Sequence, residues 1–212
     1  MKRSKVSLSK RFDKLSTIYK PKPLMGLMVG AAMLTGCGDD ESALMYYTAE
    51  DCTAENPAHF ALCRAAYEEA LEESARTAPK FSSLADCEED FGMMNCTDVP
   101  SPYRQVGTYM PAMAGFMLAA AWFQDDDDFD IDLFKSRKKK RLMPLFTSYN
   151  TRSPFYGRRV GATGVDLGRL TDRRAKVSRS VFDREVPTTT RAASRGGFGR
   201  TVASSRSASR GG

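Results

Sequence analysis

The chain has few of the residues that most often build catalytic and metal centres. Its 212 residues include one histidine, His59, one tryptophan and five cysteines. No two cysteines are spaced as a CxxC knuckle, so the spacing does not predict a zinc site. The sequence also offers no nucleophile–base pair and no phosphate-binding loop. We therefore expect a protein that is not an enzyme, with no catalytic residue, no metal and no cofactor.

The chain also lacks an apolar run long enough for an ordinary membrane-spanning helix. Its two longest runs, Leu24 to Gly36 and Tyr109 to Phe123, have 13 and 15 residues, whereas a span needs roughly 20. The first run follows a stretch with eight basic residues and one acid, Asp13. A basic stretch, a short apolar run and a small-residue cleavage site are typical of a secretory signal.

The first apolar run ends in a motif that predicts lipid attachment. Leu34-Thr35-Gly36-Cys37 matches the lipobox of bacterial lipoproteins. The match implies cleavage between Gly36 and Cys37 and a thioether between Cys37 and membrane lipid. Several acyl chains, at about 0.8 kcal/mol per buried CH₂, make a stable anchor. The alternative is an uncleaved apolar segment with a chance cysteine.

These features predict residues 1–36 as a signal peptide and residues 37–47 as a lipid-anchored linker. The protein would then sit in the cell envelope and face the periplasm. In resembling lipoproteins an aspartate after the lipidated cysteine favours retention in the inner membrane. Gly38 occupies that position here, so the outer membrane is favoured.

The four remaining cysteines predict two disulfide bonds. An even set in an exported protein is typical of a disulfide framework. Two halves of the sequence resemble each other, because each has a capping Thr or Ser, then Asp-Cys, then a second cysteine. This favours Cys52–Cys63 and Cys87–Cys96, although four cysteines allow three pairings.

Residues 48–98 predict a small helical domain that the disulfides stabilise. Thr48 and Ser83 each precede an acid by three positions, as helix N-caps do. Between Asn56-Pro57 and Pro79 lies an amphipathic helix pattern, whose predicted inner face is Phe60, Cys63, Tyr67, Ala70, Leu71, Ser74 and Ala78. The predicted fold is therefore mainly α: a disulfide-stapled helical head followed by a largely disordered basic tail.

The middle of the chain holds an apolar, Met-rich segment at 107–124 and a charged linker at 125–143. For the apolar segment we favour a place in the core or against a partner, then a membrane interface, then a true span. In the linker, a block of aspartates precedes a Lys/Arg run. The aspartates lack the glycine and glutamate of a calcium loop. After an export signal, we expect the basic run to meet anionic lipid rather than nucleic acid.

Charge divides the mature chain into an acidic part and a basic part. Residues 38–100 contain 15 acids and three bases, and residues 151–212 contain 14 bases and four acids. The tail at 144–212 is rich in Arg, Ser and Gly and has no sustained apolar period, which is typical of disorder. We expect it to contact anionic lipid or polysaccharide.

A set of short motifs runs from residue 51 to the end of the chain. They are Asp51-Cys52, Asn56-Pro57, the predicted helix with Cys63, Thr77-Ala-Pro-Lys80, Asp86-Cys87, Phe91-Gly92, Cys96, Met110-Pro-Ala-Met-Ala-Gly115, Pro144-Leu-Phe146, Ser153-Pro-Phe-Tyr-Gly157, Arg195-Gly-Gly-Phe-Gly199 and the closing Arg210-Gly-Gly. In this order they resemble the YgiB-like family of uncharacterised enterobacterial proteins. The resemblance implies no catalytic residue, and the charged blocks at 125–141 depart from the family pattern. Genes of that family often neighbour an ATP-grasp ligase similar to glutathionylspermidine synthase.

The sequence thus predicts a non-enzymatic, lipid-anchored envelope protein. Its head would be an interaction module for an unidentified envelope protein, and its tail a tether. The alternative is an accessory or binding component that works with the ligase-like neighbour.

Overall fold

A four-stranded antiparallel sheet organises the fold. The computed structural model describes residues 40–105, 107–124 and 141–208, so the predicted signal peptide, Gly36, Cys37 and most of the charged linker lie outside the described residues. In spatial order the strands are Leu142–Leu145 (β5), Gly115–Ala119 (β4), Asp40–Tyr46 (β1) and Arg174–Ser178 (β8). Residues that are far apart in sequence therefore lie side by side.

Among the described residues, five helices and two small sheets surround this sheet. The helices are Ala49–Glu55 (α1), Phe60–Thr77 (α2), Leu84–Phe91 (α3), Arg179–Asp183 (α4) and Gly197–Ala208 (α5). One small sheet pairs Cys96–Asp98 (β2) with Tyr109–Pro111 (β3), and the other pairs Arg158–Val160 (β6) with Asp166–Arg169 (β7). Short 3₁₀ turns lie at Pro57–His59, Tyr103–Gln105 and Ala120–Phe123.

The predicted helix starts at Thr48 and Ser83 are confirmed, whereas Asn56 makes no side-chain cap and a 3₁₀ turn at Pro57–His59 precedes α2. The Thr48 hydroxyl accepts a hydrogen bond from the Asp51 backbone N–H, and the Ser83 hydroxyl accepts one from Asp86 N–H, each at 3.2 Å. These caps satisfy backbone donors that a helix N-terminus leaves without partners. At the other end of α2, Pro79 follows soon after the last helical residue, Thr77.

The main sheet buries both of its faces. On one face α1 and α2 cover Tyr46, Phe116 and Leu118. The other face packs Met45, Met117 and Met143 with residues from β7, β8 and α4. A third core cluster joins α3, α5 and the chain around Phe146 and Phe155. Two-sided burial explains why β4 is an uninterrupted apolar run rather than an alternating one.

The central part of the Met-rich segment is a buried strand. All five residues of β4 are buried, which places this part of the segment in the core. Gly115 has φ +143°, and a Cβ there would lie 2.3 Å from the Tyr46 backbone oxygen. The close approach of β1 therefore requires glycine at this position. Within the described ranges, no helix combines the length and apolar character of a membrane span.

The prediction of a mainly α fold is wrong. The protein is mixed α/β, and the segment predicted as a linker supplies β1, an inner strand of the sheet. The prediction of a largely disordered tail is also wrong, since residues 142–208 contain four strands and two helices. The tail folds because its isolated apolar residues, such as Phe155, Phe182 and Phe198, are buried against elements formed earlier in the chain.

The segregated charges of head and tail face each other in the fold. Arg173 pairs with Asp51 and Glu55 of α1, and Arg195 lies 3.6 Å from Glu89 of α3. Arg141 pairs with Glu41 of β1 at 2.5 Å. Part of the basic charge of the tail is thus neutralised by the acidic head within one chain.

Candidate functional site

Two adjoining clefts lie where α3 meets residues 148–154 and the start of α5. The large cleft has a volume of about 500 Å³, and the small cleft about 210 Å³. They share Glu89, Asn150 and Arg152 in their walls. Met93 and Tyr149 line the large cleft, so its wall is partly apolar.

A cluster of three phenylalanines holds these segments together. Phe91 ends α3, Phe155 lies in the Ser-Pro-Phe-Tyr-Gly motif, and Phe198 lies in the Arg-Gly-Gly-Phe-Gly motif. Their ring centroids are 5.2–5.5 Å apart, and all three side chains are buried. Three motifs separated by up to about a hundred positions therefore meet in one core.

A buried carboxyl group fixes α5 beside the small cleft. The Asp90 carboxyl oxygens accept hydrogen bonds from the backbone N–H groups of Phe198 and Gly199 at 3.3 and 3.4 Å. Burial raises the pKa of Asp90, and the two N–H groups partly oppose that rise. A Cβ at Gly199 would lie 3.2 Å from Pro154, so glycine allows the close approach. The glycine-rich motif is thus explained by packing and helix capping.

A tight turn at residues 92–95, here called the methionine turn, forms the rim of the large cleft. Gly92 has φ +98°, and a Cβ there would lie 3.0 Å from the Asn150 backbone nitrogen. Met94 has φ +60°, an uncommon conformation for a residue with a side chain. Its backbone N–H donates to the Glu88 carboxylate at 3.0 Å. Gly92 and the Glu88 carboxylate therefore stabilise the backbone conformation of this turn.

Further contacts tie the methionine turn to the rest of the fold. The Asn95 side-chain amide donates to the backbone oxygens of Phe91 and Thr147, at 3.2 and 3.1 Å. The Cys87–Cys96 disulfide closes the loop that contains the turn. The turn is thus held at both ends, which lowers the conformational entropy that a binding partner would otherwise have to remove.

The methionine turn exposes its two large apolar side chains almost completely. Met93 is 83% exposed and Met94 is 94% exposed, and Tyr149 across the large cleft is 55% exposed. Single exposed apolar residues are ordinary, but a cluster around a cleft is typical of a binding surface. Methionine suits such a surface because its flexible thioether side chain adapts to irregular partners.

Charged groups surround the apolar cluster. Glu88 and Glu89 line one wall of the large cleft, and the exposed Arg152 lies in the other. Arg195 lies close to Glu89 and to Asp86. Residues 40–105, 107–124 and 141–208 contain no group of three His, Cys, Asp or Glu that could hold a metal ion. The arrangement suits binding of a surface with an apolar centre and a polar edge.

The structure places the sequence-predicted cysteines as follows. Cys52 pairs with Cys63 and joins α1 to α2, and Cys87 pairs with Cys96 and joins α3 to β2. These are the two pairs that the repeated pattern favours. The predicted lipidation site, Cys37, and its cleavage partner Gly36 lie outside the described residues.

The sequence reasoning missed the methionine turn. Met93-Met94 stands between Gly92, which follows the last residue of α3, and Cys96 of the second disulfide. Two large apolar residues in a short, cross-linked loop were the available signal.

Comparison with known proteins finds relatives that match the chain over most of its length. The family described as "Protein of unknown function (DUF1190)" matches residues 40–209. A UPF0441 protein of Yersinia enterocolitica is 34% identical over 222 residues, covering 96% of this chain and 90% of the relative. One from Sodalis glossinidius is 34% identical over 212 residues, with 96% and 92% coverage. One from Pectobacterium carotovorum is 32% identical over 221 residues, with 99% and 93% coverage. No solved structure matches the chain significantly.

Proposed function

The chain belongs to the DUF1190 family, the YgiB-like family that its motifs resemble, and we propose that it is a lipid-anchored binding module of the bacterial cell envelope. In this proposal the methionine turn and the large cleft dock a protein partner. The partner would be a different envelope protein that presents apolar side chains within a polar surround. The observation that carries the proposal is the exposure of Met93 and Met94 on a turn held at both ends.

Two features support the envelope location. The lipobox at Leu34-Thr35-Gly36-Cys37 follows a secretory signal pattern. The two disulfides suit an oxidising compartment such as the periplasm. An anchor at Cys37 would hold the folded part close to the membrane, because β1 begins at Asp40.

Energetic arguments favour a protein partner at the methionine turn. Burying a methionine side chain contributes about 1.5–3 kcal/mol, and two lie side by side here. Because the turn is already ordered, less of that gain is lost to ordering on binding. The mixed charges around the cleft, from Glu88, Glu89 and Arg152, would select among apolar partners.

The experiment compares two double variants of the full chain in bacterial envelopes. Met93→Ser with Met94→Ser removes the apolar cluster. Phe60→Ser with Leu71→Ser removes two exposed apolar residues of α2, which are 58% and 44% exposed, and serves as the matched control. Envelopes are solubilised in mild detergent, and the size of the complex that contains this protein is measured by native gel electrophoresis.

We expect the wild type and the control to migrate as a complex with a second protein, and the methionine variant to migrate alone. The methionine variant and the wild type should have the same unfolding midpoint once purified, since the side chains of Met93 and Met94 are largely exposed. A methionine variant that keeps its complex, or a wild type found alone, would refute the docking role.

A further inference from the structure

The first residues of β1 lie beside the edge strand β8 and the short helix α4. In the antiparallel register Asp40 faces Ser178, and Ser42 faces Lys176. Three residues of extended chain span at most ~10 Å. A lipid on Cys37 would therefore bring this part of the fold to the membrane surface.

Strand β8, helix α4 and the residue after it carry four exposed cations, which we call the basic corner: Arg174, Lys176, Arg179 and Arg184. In the part of the chain that the structure describes, none of the four has an ion-pair partner. Two other arginines of the tail differ, since Arg173 and Arg195 pair with acids of α1 and α3. The four cations of the basic corner are therefore not neutralised by an ion pair within the described residues.

The local packing turns these cations outward. Val177 of β8 and Phe182 of α4 are buried against the main sheet. On β8 the residues on either side of Val177, Lys176 and Ser178, are exposed, as alternation along a strand requires. Arg174 and Lys176 therefore lie on the solvent side of an edge strand.

Acids are also present, so the corner is only mildly positive. Asp40, Asp183 and Glu185 are exposed in the same region, which leaves a small net positive charge. For a free protein, such a charge would give weak binding to an anionic membrane. For a protein already tethered within ~10 Å, the effective concentration of headgroups is high, and a small attraction is enough to fix the orientation.

We propose that the basic corner rests on the membrane surface and binds the phosphate groups of anionic lipid headgroups. This inference rests on the lipid anchor of the proposed function. The sequence predicted that a disordered tail attracts anionic lipid. Here that attraction comes instead from four residues of a folded corner.

The test imposes the anchor chemically. Mature protein beginning at Cys37 is coupled through that thiol to a maleimide lipid, because its other four cysteines are in disulfides. It is placed on vesicles of phosphatidylcholine with or without phosphatidylglycerol. The rate at which an amine reagent acetylates Lys176 is then measured by mass spectrometry. An Arg64→Lys substitution supplies a control amine on α2, at a site whose side chain is 72% exposed.

We expect Lys176 to react about fivefold more slowly on the anionic vesicles, the factor that the attraction of one interfacial cation gives. Lys introduced at position 64 should react equally on both. Arg174→Glu with Arg179→Glu should remove the protection of Lys176, and so should salt near 1 M, where the screening length is ~3 Å.

Equal reactivity of Lys176 on the two vesicles would overturn the proposal, and so would protection that survives charge reversal. Because the lipid is attached chemically, these results test the basic corner independently of whether Cys37 is lipidated in cells. Absence of lipid on Cys37 in cells would instead refute the anchor of the proposed function.

Discussion

Both terminal nitrogens of the Arg173 guanidinium group donate hydrogen bonds to the Asp51 carboxylate, at 2.5 and 2.6 Å, although the two residues are 122 positions apart in sequence. The same guanidinium donates to Glu55 at 2.7 and 3.1 Å. The Arg173 backbone oxygen also accepts a hydrogen bond from Met45 of β1. These contacts therefore hold the turn between β7 and β8 against α1 and β1. They also join the basic part of the chain to the acidic part.

Replacing Arg173 with Met should destabilise the protein by about 1 kcal/mol at neutral pH, since the pair is bidentate but partly exposed. The Arg173 hydrogen bonds lower the pKa of Asp51 below its usual 3.8. A carboxylate whose pKa is lowered by folding stabilises the protein fully when the pH is above its pKa in the unfolded chain. That stabilisation is lost as the pH falls through its pKa in the folded protein. The difference between wild type and variant should therefore shrink below about pH 4.

Urea unfolding of both proteins at pH 7 and at pH 3 measures this difference. Arg64→Met is the matched control, because Arg64 and Glu68 are 3.9 Å apart and more than 70% exposed. The control should leave stability unchanged at both pH values. An Arg173 variant whose cost is the same at pH 3 as at pH 7 would show that its role is packing and not ion pairing.

Lys80 gives a second pH-dependent prediction, in which the substitution stabilises the protein instead of destabilising it. Its side chain is fully buried, and its ammonium donates to the Arg76 backbone oxygen at 3.1 Å. Burial, with a smaller contribution from the nearby Arg76 charge, lowers the pKa of Lys80 to about 8. The unfolded chain therefore binds more protons between pH 8 and 10.5 than the folded chain does, and stability rises with pH across that window.

Lys80→Met should stabilise the protein at pH 7 by roughly 1–3 kcal/mol, because one pKa unit corresponds to about 1.4 kcal/mol and the lost hydrogen bond offsets part of the gain. The advantage should diminish as the pH rises above 8. Thermal unfolding at pH 7 and 9.5 is the measurement, and Lys176→Met on the exposed side of β8 is the control. A Met variant that is less stable than the wild type at pH 7 would contradict the charge-burial argument.

Local signals in the sequence predicted local structure well. The caps at Thr48 and Ser83 depend on residues three positions away, and both are formed. The disulfides join cysteines eleven and nine positions apart, so the loops that they close are short. Such features need no knowledge of the rest of the fold.

The buried face of α2 was predicted only in part. Cys63, Ala70 and Ser74 are buried as expected, but Phe60 and Leu71 are exposed. Leu62 and Ala66 take part in the face instead, because the helix packs against the strands β4 and β5. Periodicity identified the helix, whereas the sheet that it packs on sets which stripe is buried.

The fold of the tail could not be predicted from its own residues. Phe155, Val160 and Phe198 are isolated apolar residues among Arg, Ser and Gly, and their partners include α3 and the chain on either side of it. The acids that pair with Arg173 and Arg195 are equally remote in sequence. Composition alone therefore gave the signature of disorder for a segment that non-local contacts order.

The docking of an envelope partner by the methionine turn is tested most directly in living cells. A photoreactive amino acid is placed at position 93 of the full chain, with position 71 on α2 as the control. Illumination should give a discrete covalent adduct from position 93 that weakens when Met94 is changed to Ser, and none from position 71. No adduct from position 93, or the same adducts from both positions, would contradict the claim.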